Sequence, residues 1–167
     1  MTTTATTESV LAELARILTD VIGDDLLFDG DLTMETSFDA DLQREWACME
    51  RSGRPLAMLY ADIDKFKAIN DRHGHAAGDL VLREVAASLS ASIRASDFIA
   101  RVGGEEFLVG CVAADDGVAR SLADRLLNGV RKLEVALPGV KIPVRCTVSI
   151  GISRRCNERA DWELCWA

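Results

Sequence analysis

Apolar positions along this chain repeat with two different periods, and the changes between them mark its elements. From Ser9 to Ile22, the residues Val10, Leu14, Ile17, Leu18 and Val21 return every three or four positions, which predicts an amphipathic helix ended by Gly23-Asp24-Asp25. The acidic stretch from Asp24 to Ser37 reads as a linker between this arm and the body. Thr36 or Ser37 is placed to cap a second helix, with Phe38, Leu42, Trp46 and Met49 as its stripe and Gly53 and Pro55 as its stop. The run Leu56-Ala-Met-Leu-Tyr-Ala-Asp62-Ile63 is apolar at nearly every position, the pattern of a strand buried on both faces. A carboxylate sits at its tip.

After a brief segment through Lys65–His75, a long helix is predicted to follow Gly78-Asp79, with Val81, Val85, Leu89 and Ile93 four apart on one face. Two strand-like runs, Phe98–Val102 and Glu105–Val112, flank Gly103-Gly104, which predicts a hairpin with a two-residue loop at positive φ. Asp115-Asp116 opens another helix with Val118, Leu122, Leu126, Val130 and Leu133 on its buried stripe, closed by Pro138-Gly139. Ile142, Val144, Cys146, Val148, Ile150 and Ile152 then alternate with Pro143, Arg145, Thr147, Ser149 and Gly151, a strand with one face on the core. Of the last fifteen residues, only Asp161-Trp-Glu-Leu-Cys-Trp-Ala167 suggests structure, as the start of a helix. The order β-α-α-β-β-α-β predicts an α+β fold: a palm-like, split βαβ sheet, mostly antiparallel, flanked by helices and preceded by an N-terminal helical arm.

With 167 residues the chain is too short for two full domains, so residues 1–31 read as helix and linker and 32–167 as one domain. Nineteen Lys and Arg against 27 Asp and Glu give a charge of −8, which disfavours a protein built to coat nucleic acid or anionic lipid. A small phosphorylated ligand held by a metal, a few cations and backbone amides remains compatible with that balance. The N-terminus lacks a basic region followed by an apolar one, and no stretch reaches the length of a membrane span. Five cysteines, odd in number and without a Cys-x-x-Cys pair, fit free thiols better than disulfides or zinc. The expectation is a soluble, cytoplasmic chain.

In the predicted topology, Asp62 and Asp64 at the end of the first strand meet Glu105 and Glu106 at the hairpin tip. Carboxylates at close range repel and raise one another's pKa, so such a cluster takes cationic partners or a divalent metal unless it is merely a solvated turn. Magnesium suits acids at strand ends, because it accepts one or two carboxylates and fills its shell with water and phosphate oxygens. The segment from Asp62 to Asp79 adds cations, amides and acids around a strand-to-helix loop, where backbone N–H groups can hold phosphate. Asn70 and Asp79 offer a mixed donor and acceptor pair, and a carboxylate accepting from a purine N1–H and amine favours guanine over adenine. His73 and His75 fit turn residues better than metal ligands. The absence of a G-x-x-x-x-G-K-[ST] loop excludes a P-loop nucleotidase.

Four blocks, taken together, resemble one family. Asp62-Ile-Asp-Lys-Phe-Lys-Ala-Ile-Asn-Asp-Arg-His-Gly-His-Ala-Ala-Gly-Asp79, Arg94-Ala-Ser-Asp97, Arg101-Val-Gly-Gly-Glu-Glu-Phe107 and Ser149-Ile-Gly-Ile152 follow one another in the order and spacing of the GGDEF diguanylate cyclase domain, over roughly Leu32 to Ile152. The resemblance implies a bacterial second-messenger enzyme that condenses two GTP into cyclic di-GMP plus pyrophosphate, as a homodimer of half-sites. It implies Mg2+ or Mn2+ on Asp62, Glu105 and the Ile63 carbonyl, with Glu106 as the neighbouring acid and Lys67 beside them in catalysis. Asn70 and Asp79 match the guanine readers, Phe66 and Lys67 the phosphate loop, and Gly103 and Gly104 the glycines that admit the nucleotide. Arg94 and Asp97 match an inhibitory product site, with Arg101 and Arg125 assisting; read without the family, Arg94 and Asp97 form a local salt bridge.

The chain departs from the family pattern in two places. Asp31-Leu-Thr-Met-Glu-Thr-Ser-Phe38 keeps only the first part of Asp-x-Leu-Thr-Gly-Leu-x-Asn-Arg-Arg. The final helix, Ala-Asp-x-Ala-Leu-Tyr-x-Ala-Lys, and the Gly-Arg-Asn strand are missing, so triphosphate binding is expected to weaken. Two alternatives stand beside the enzyme: a weak or inactive module that binds GTP or cyclic di-GMP, and a dimerisation domain driven by the stripe from Val10 to Val21.

Overall fold

The computed structural model describes residues 41, 44–45, 47–49, 51–156 and 159–166, with side chains as far as Ser153. The predicted arm and linker, the Thr36 or Ser37 cap, and Phe38, Leu42 and Trp46 of the second stripe lie outside those residues. What is described of the second helix ends as its punctuation predicts. Met49 is buried, and Gly53 at φ 69° donates its N–H to the Met49 carbonyl at 2.8 Å, closing the helix with a left-handed glycine.

The elements are β1 (Leu56–Ile63), α1 (Phe66–His73), α2 (His75–Ser92), β2 (Phe98–Arg101), β3 (Glu106–Val112), α3 (Asp116–Arg131), β4 (Val148–Cys156) and β5 (Arg159–Trp166). They form one antiparallel sheet in the order β2-β3-β1-β4-β5, with β1 at its centre. Ala57, Leu59, Ala61 and Ile63 project from β1 into a core shared with Val81, Val85 and Leu89 of α2 and Leu122, Leu126 and Val130 of α3. Leu56, Met58, Tyr60 and Asp62 lie on the opposite face, as period-two alternation requires. All positions of β1 but Asp62 are buried. The palm-like α+β expectation holds, with α2 and α3 packed on the sheet face that carries Ala57, Leu59, Ala61 and Ile63.

Several boundaries differ from the sequence reading. Helix α2 begins at His75, so Gly78 and Asp79 lie in its first turn instead of preceding it. The hairpin turn is longer than two residues: Val102 N–H donates to the Glu106 carbonyl at 2.9 Å, which leaves Gly103, Gly104 and Glu105 in the turn. Neither glycine takes a positive φ there. Strand β4 starts at Val148 instead of Ile142, because its partner β1 ends at Ile63, which faces Val148. Ahead of that point Val144 makes only an isolated bridge with Val135, and Ile142 is 78 % exposed despite its place in the alternation.

The C-terminal expectation is overturned more fully. Residues 159–166 form a strand, not the start of a helix, and extend the sheet beyond β4 from Cys156↔Arg159 to Gly151↔Trp166. The sequence Asp161-Trp-Glu-Leu-Cys-Trp166 alternates polar and apolar nearly residue by residue, and β4 offers it an open edge of backbone donors and acceptors.

Candidate functional site

The register of the central ladder builds the acidic site. Asp62 faces Glu106 on β3 and Ser149 on β4, and facing residues of an antiparallel pair project to the same side of the sheet. The hairpin tip is tied to β1 by the Ile63 N–H, which donates to the Glu105 carbonyl at 3.2 Å. Past the end of β1 the Asp64 N–H continues the pairing to Thr147 O at 2.9 Å. The Asp64 carboxylate accepts from the Thr147 hydroxyl and from Ser149 Oγ at 2.7 Å. Asp64 is therefore engaged by hydroxyls, whereas no described residue hydrogen-bonds the Asp62 or Glu105 carboxylate.

The electrostatics follow from that crowding. Burial, then the charges of Glu105, Glu106 and Asp64, push the Asp62 carboxyl from 3.8 up to about 6. Burial and Glu106 likewise raise Glu105. Glu106 is held differently: the Tyr60 hydroxyl donates to its Oε1, and a Cβ on Gly103 would stand 1.7 Å from its Oε2. A side chain at Gly103 would displace the Glu106 carboxylate from this position, whereas the backbone conformation there does not demand glycine. Tyr60, buried and raised in pKa first by burial and then by Glu106, was missed in the sequence. Its signal was available, because a phenol two positions before Asp62 on a strand must share its face.

Among the described residues no three His, Cys, Asp or Glu side chains form a complete metal cage. The fit to a hard divalent cation is nevertheless good. Asp62 and Glu105 are oxygen donors without a described cation partner, they repel one another's neighbourhood, and two carboxylates are what magnesium takes when water and phosphate complete its shell.

Around α1 the remaining candidates divide between two faces. Phe66 is buried against the core and Lys67 is exposed, while no side chain caps the α1 N-terminus. Asn70 lies against α2, where a Cβ on Gly78 would stand 1.9 Å from its Oδ1. That Oδ1 is buried and has no hydrogen-bond partner among the described residues. An unsatisfied buried amide oxygen is a group that a donor from solvent or a ligand would satisfy. Asp79 also lines a groove of about 590 Å³ with Leu82, Arg83, Ile99, Arg101 and Phe107.

The four residues expected at an inhibitory site do not all meet. Asp97 is 8 % exposed, and its carboxylate accepts from the backbone N–H groups of Arg94 at 3.0 Å and Val112 at 3.2 Å. Arg94, Asp97 and Arg125 all act on the Cys111 thiol, which burial raises to about 11. Arg125 donates from Nε and Nη2 to the Ser92 carbonyl at 3.2 and 2.9 Å, across from α3 to the end of α2. Arg101 lies elsewhere: it donates from Nε to Gly103 O at 3.0 Å and from Nη2 to Gly104 O at 2.7 Å, bracing the hairpin turn.

Comparison with known proteins gives a consistent picture. The family described as "Diguanylate cyclase, GGDEF domain" matches residues 31–165. The chain is similar to Diguanylate cyclase A of Treponema denticola, 45 % identical over 98 residues, covering 59 % of this chain and 26 % of that protein. It is similar to Diguanylate cyclase DosC of Escherichia coli K12, 39 % identical over 122 residues, covering 72 % and 26 %. The chain therefore spans about a quarter of the length of these relatives. Among solved structures, the GGDEF domain of DgcB from Caulobacter crescentus in complex with c-di-GMP superimposes with a TM-score of 0.68 at 30 % identity, covering 74 % of this chain and 72 % of that one.

Two outcomes follow from the geometry. Because the folded Asp62 titrates near 6 and an unfolded aspartate near 3.8, the metal-free protein loses stability as pH rises between those values and bears the full penalty above 6. Asp62→Asn should melt above wild type by a few degrees at pH 7.5 without metal, and the two should converge near pH 4; thermal melts across that range check it. Asp97→Ala should cost about 2 kcal/mol in urea unfolding, since it strands two part-buried amide donors. Arg94→Ala, at an exposed side chain, should cost little.

Proposed function

The chain belongs to the GGDEF family of diguanylate cyclases, and we propose that it condenses two GTP molecules into cyclic di-GMP and pyrophosphate. The observation that carries this reading is the set of like charges, Asp62, Glu105 and Glu106, close enough to raise the Asp62 carboxyl, in a chain whose α1 also carries an unsatisfied Asn70 Oδ1. Together they offer one site for a divalent cation and one for a purine with donors on its Watson–Crick edge.

Each chain carries one such site, whereas the product contains two nucleotides. The reaction therefore needs two copies facing one another, each presenting one GTP, and the homodimer is part of the proposal. The 3′-oxygen of one nucleotide bonds to the α-phosphorus of the other, the bond to the bridging oxygen breaks, and pyrophosphate leaves with the electron pair. Repeating the step in the other direction closes the ring. The hydroxyl protons pass to solvent. Asp62 and Glu105, with the Ile63 carbonyl, would hold Mg2+ or Mn2+, which would neutralise phosphate charge and favour ionisation of the attacking hydroxyl.

The other residues position. Tyr60 and Gly103 fix Glu106, and Arg101 fixes the carbonyls of the turn that bears Glu105. Asn70 and Asp79 orient the base, and the uncapped amides of Phe66 and Lys67 face the phosphates with the Lys67 ammonium. Cyclic di-GMP is proposed to inhibit at Arg94, Arg125 and the backbone around Asp97. In that site Asp97 shapes the loop and the two guanidinium groups meet phosphate or the guanine edge.

Incubating the full chain with GTP and Mg2+ and separating the nucleotides by chromatography tests the reading. A cyclic di-GMP peak is expected, reduced on the order of 10²-fold or more by Glu105→Gln. Binding of GTP without conversion would instead mark a nucleotide-binding module.

A further inference from the structure

Tyr60 stands two positions before Asp62 on β1, so both side chains project from the face opposite the core shared with α2 and α3. Asp62 faces Glu106 across the ladder to β3 and Tyr60 faces Leu108, which makes Glu106 the diagonal neighbour of the phenol. On the β4 side Tyr60 faces Gly151, which presents no side chain to it. The residue is 4 % exposed, and its hydroxyl donates to Glu106 Oε1. The other oxygen, Oε2, lies over Gly103, where a Cβ would stand 1.7 Å from it. The Glu106 carboxylate is thereby confined between the central strand and the hairpin turn, with one oxygen engaged by the protein.

We propose that Tyr60 determines the ion preference of the cation site: by engaging Glu106 Oε1 it leaves the site one oxygen of that carboxylate instead of two, and so favours Mg2+ over Ca2+. The inference rests on the reading that Asp62 and Glu105 hold a divalent cation. Tyr60 is a positioning residue in it, acting through Glu106 without touching the ion.

Glu106 is close enough to face the same ion, since its charge acts on both Asp62 and Glu105. Ca2+ and Mg2+ ask different things of such a carboxylate. Ca2+ gathers about six to eight oxygens, and two from one carboxylate help to fill that shell, whereas Mg2+ keeps a strict octahedron of single oxygens and water. A hydroxyl hydrogen on Oε1 repels a cation approaching that oxygen, so binding through both oxygens requires breaking the bond from Tyr60. Breaking it leaves a buried phenol donor without its partner. The fourth acid does not supply the missing oxygen. Asp64 already accepts from the Thr147 and Ser149 hydroxyls, and it lines a groove of about 1180 Å³ whose walls include Lys65, Arg72, Arg131, Lys141 and Arg145.

The test uses the full chain without nucleotide, with magnesium chloride and calcium chloride as the probes and the rise in melting temperature with ion concentration as the measure of affinity. Tyr60→Phe keeps the ring and removes only the hydroxyl; Tyr60→Leu removes both, and either variant suffices where the other does not melt cooperatively. Each should raise the ratio of Ca2+ to Mg2+ affinity by about tenfold. Adding Glu106→Gln should abolish that gain, because one of the two carboxylate oxygens is then an amide nitrogen. A purely structural role for the phenol would lower the metal-free melting temperature and leave the ratio at its wild-type value. That result overturns the proposal, as does a gain that survives Glu106→Gln, and both leave the cyclase reading intact. A wild-type chain whose melting neither ion shifts overturns the cation reading and this proposal with it.

Discussion

Carboxylates gathered at the end of the central strand repel one another, and the rest of the molecule is arranged so that they cannot move apart. Two unit charges 4 Å apart cost about 1 kcal/mol in water and several times that where water is partly excluded. Asp62 bears this cost because β1 is hydrogen-bonded on both sides, to β3 and to β4, while Ala57, Leu59, Ala61 and Ile63 anchor it in the core. Relieving the repulsion by moving the strand would break two ladders and empty a buried face. A cation, a proton or a ligand charge is the cheaper relief.

The supporting contacts distribute the strain of that arrangement. Tyr60 gives Glu106 a donor, so one of the facing acids is satisfied inside the protein, while Asp62 and Glu105 remain available. Arg101 pairs with no acid among the described residues. It holds two carbonyls of the turn, which fixes the backbone from which Glu105 projects. Division of labour of this kind separates acids that bind from residues that place them.

Much of this was legible in the sequence because it depends on pattern. The unbroken apolar run of β1 announced a strand covered on both faces, and the four-residue spacing of Val81, Val85 and Leu89 announced the face of α2 that packs on it. The motif blocks placed acids at two strand ends. Less visible was whatever depended on which strand sits opposite which. Ile142 follows the alternation perfectly and is still exposed, since β1 has already ended by the time the chain passes it. The segment Asp161–Trp166 shows that six residues are too few to separate period two from the first turn of a helix; an open sheet edge decided it. Asp97 read as a charge for a ligand, yet its carboxylate closes a loop by taking two backbone amides. Short-range spacing does not distinguish those roles.

Net charge was the coarsest of the sequence signals, and its distribution matters more than its sum. A total of −8 rules against a polyanion-coating surface, but the fold sorts charge along the two faces of one short helix. Asn70 packs against Gly78 in the first turn of α2, the turn that also carries Asp79. At the strand end the acids need a cation, and beyond Asp64 the lining is predominantly basic. An acidic protein can offer a site to an anionic ligand where its repelling charges are confined to a short segment and cations are gathered beside it.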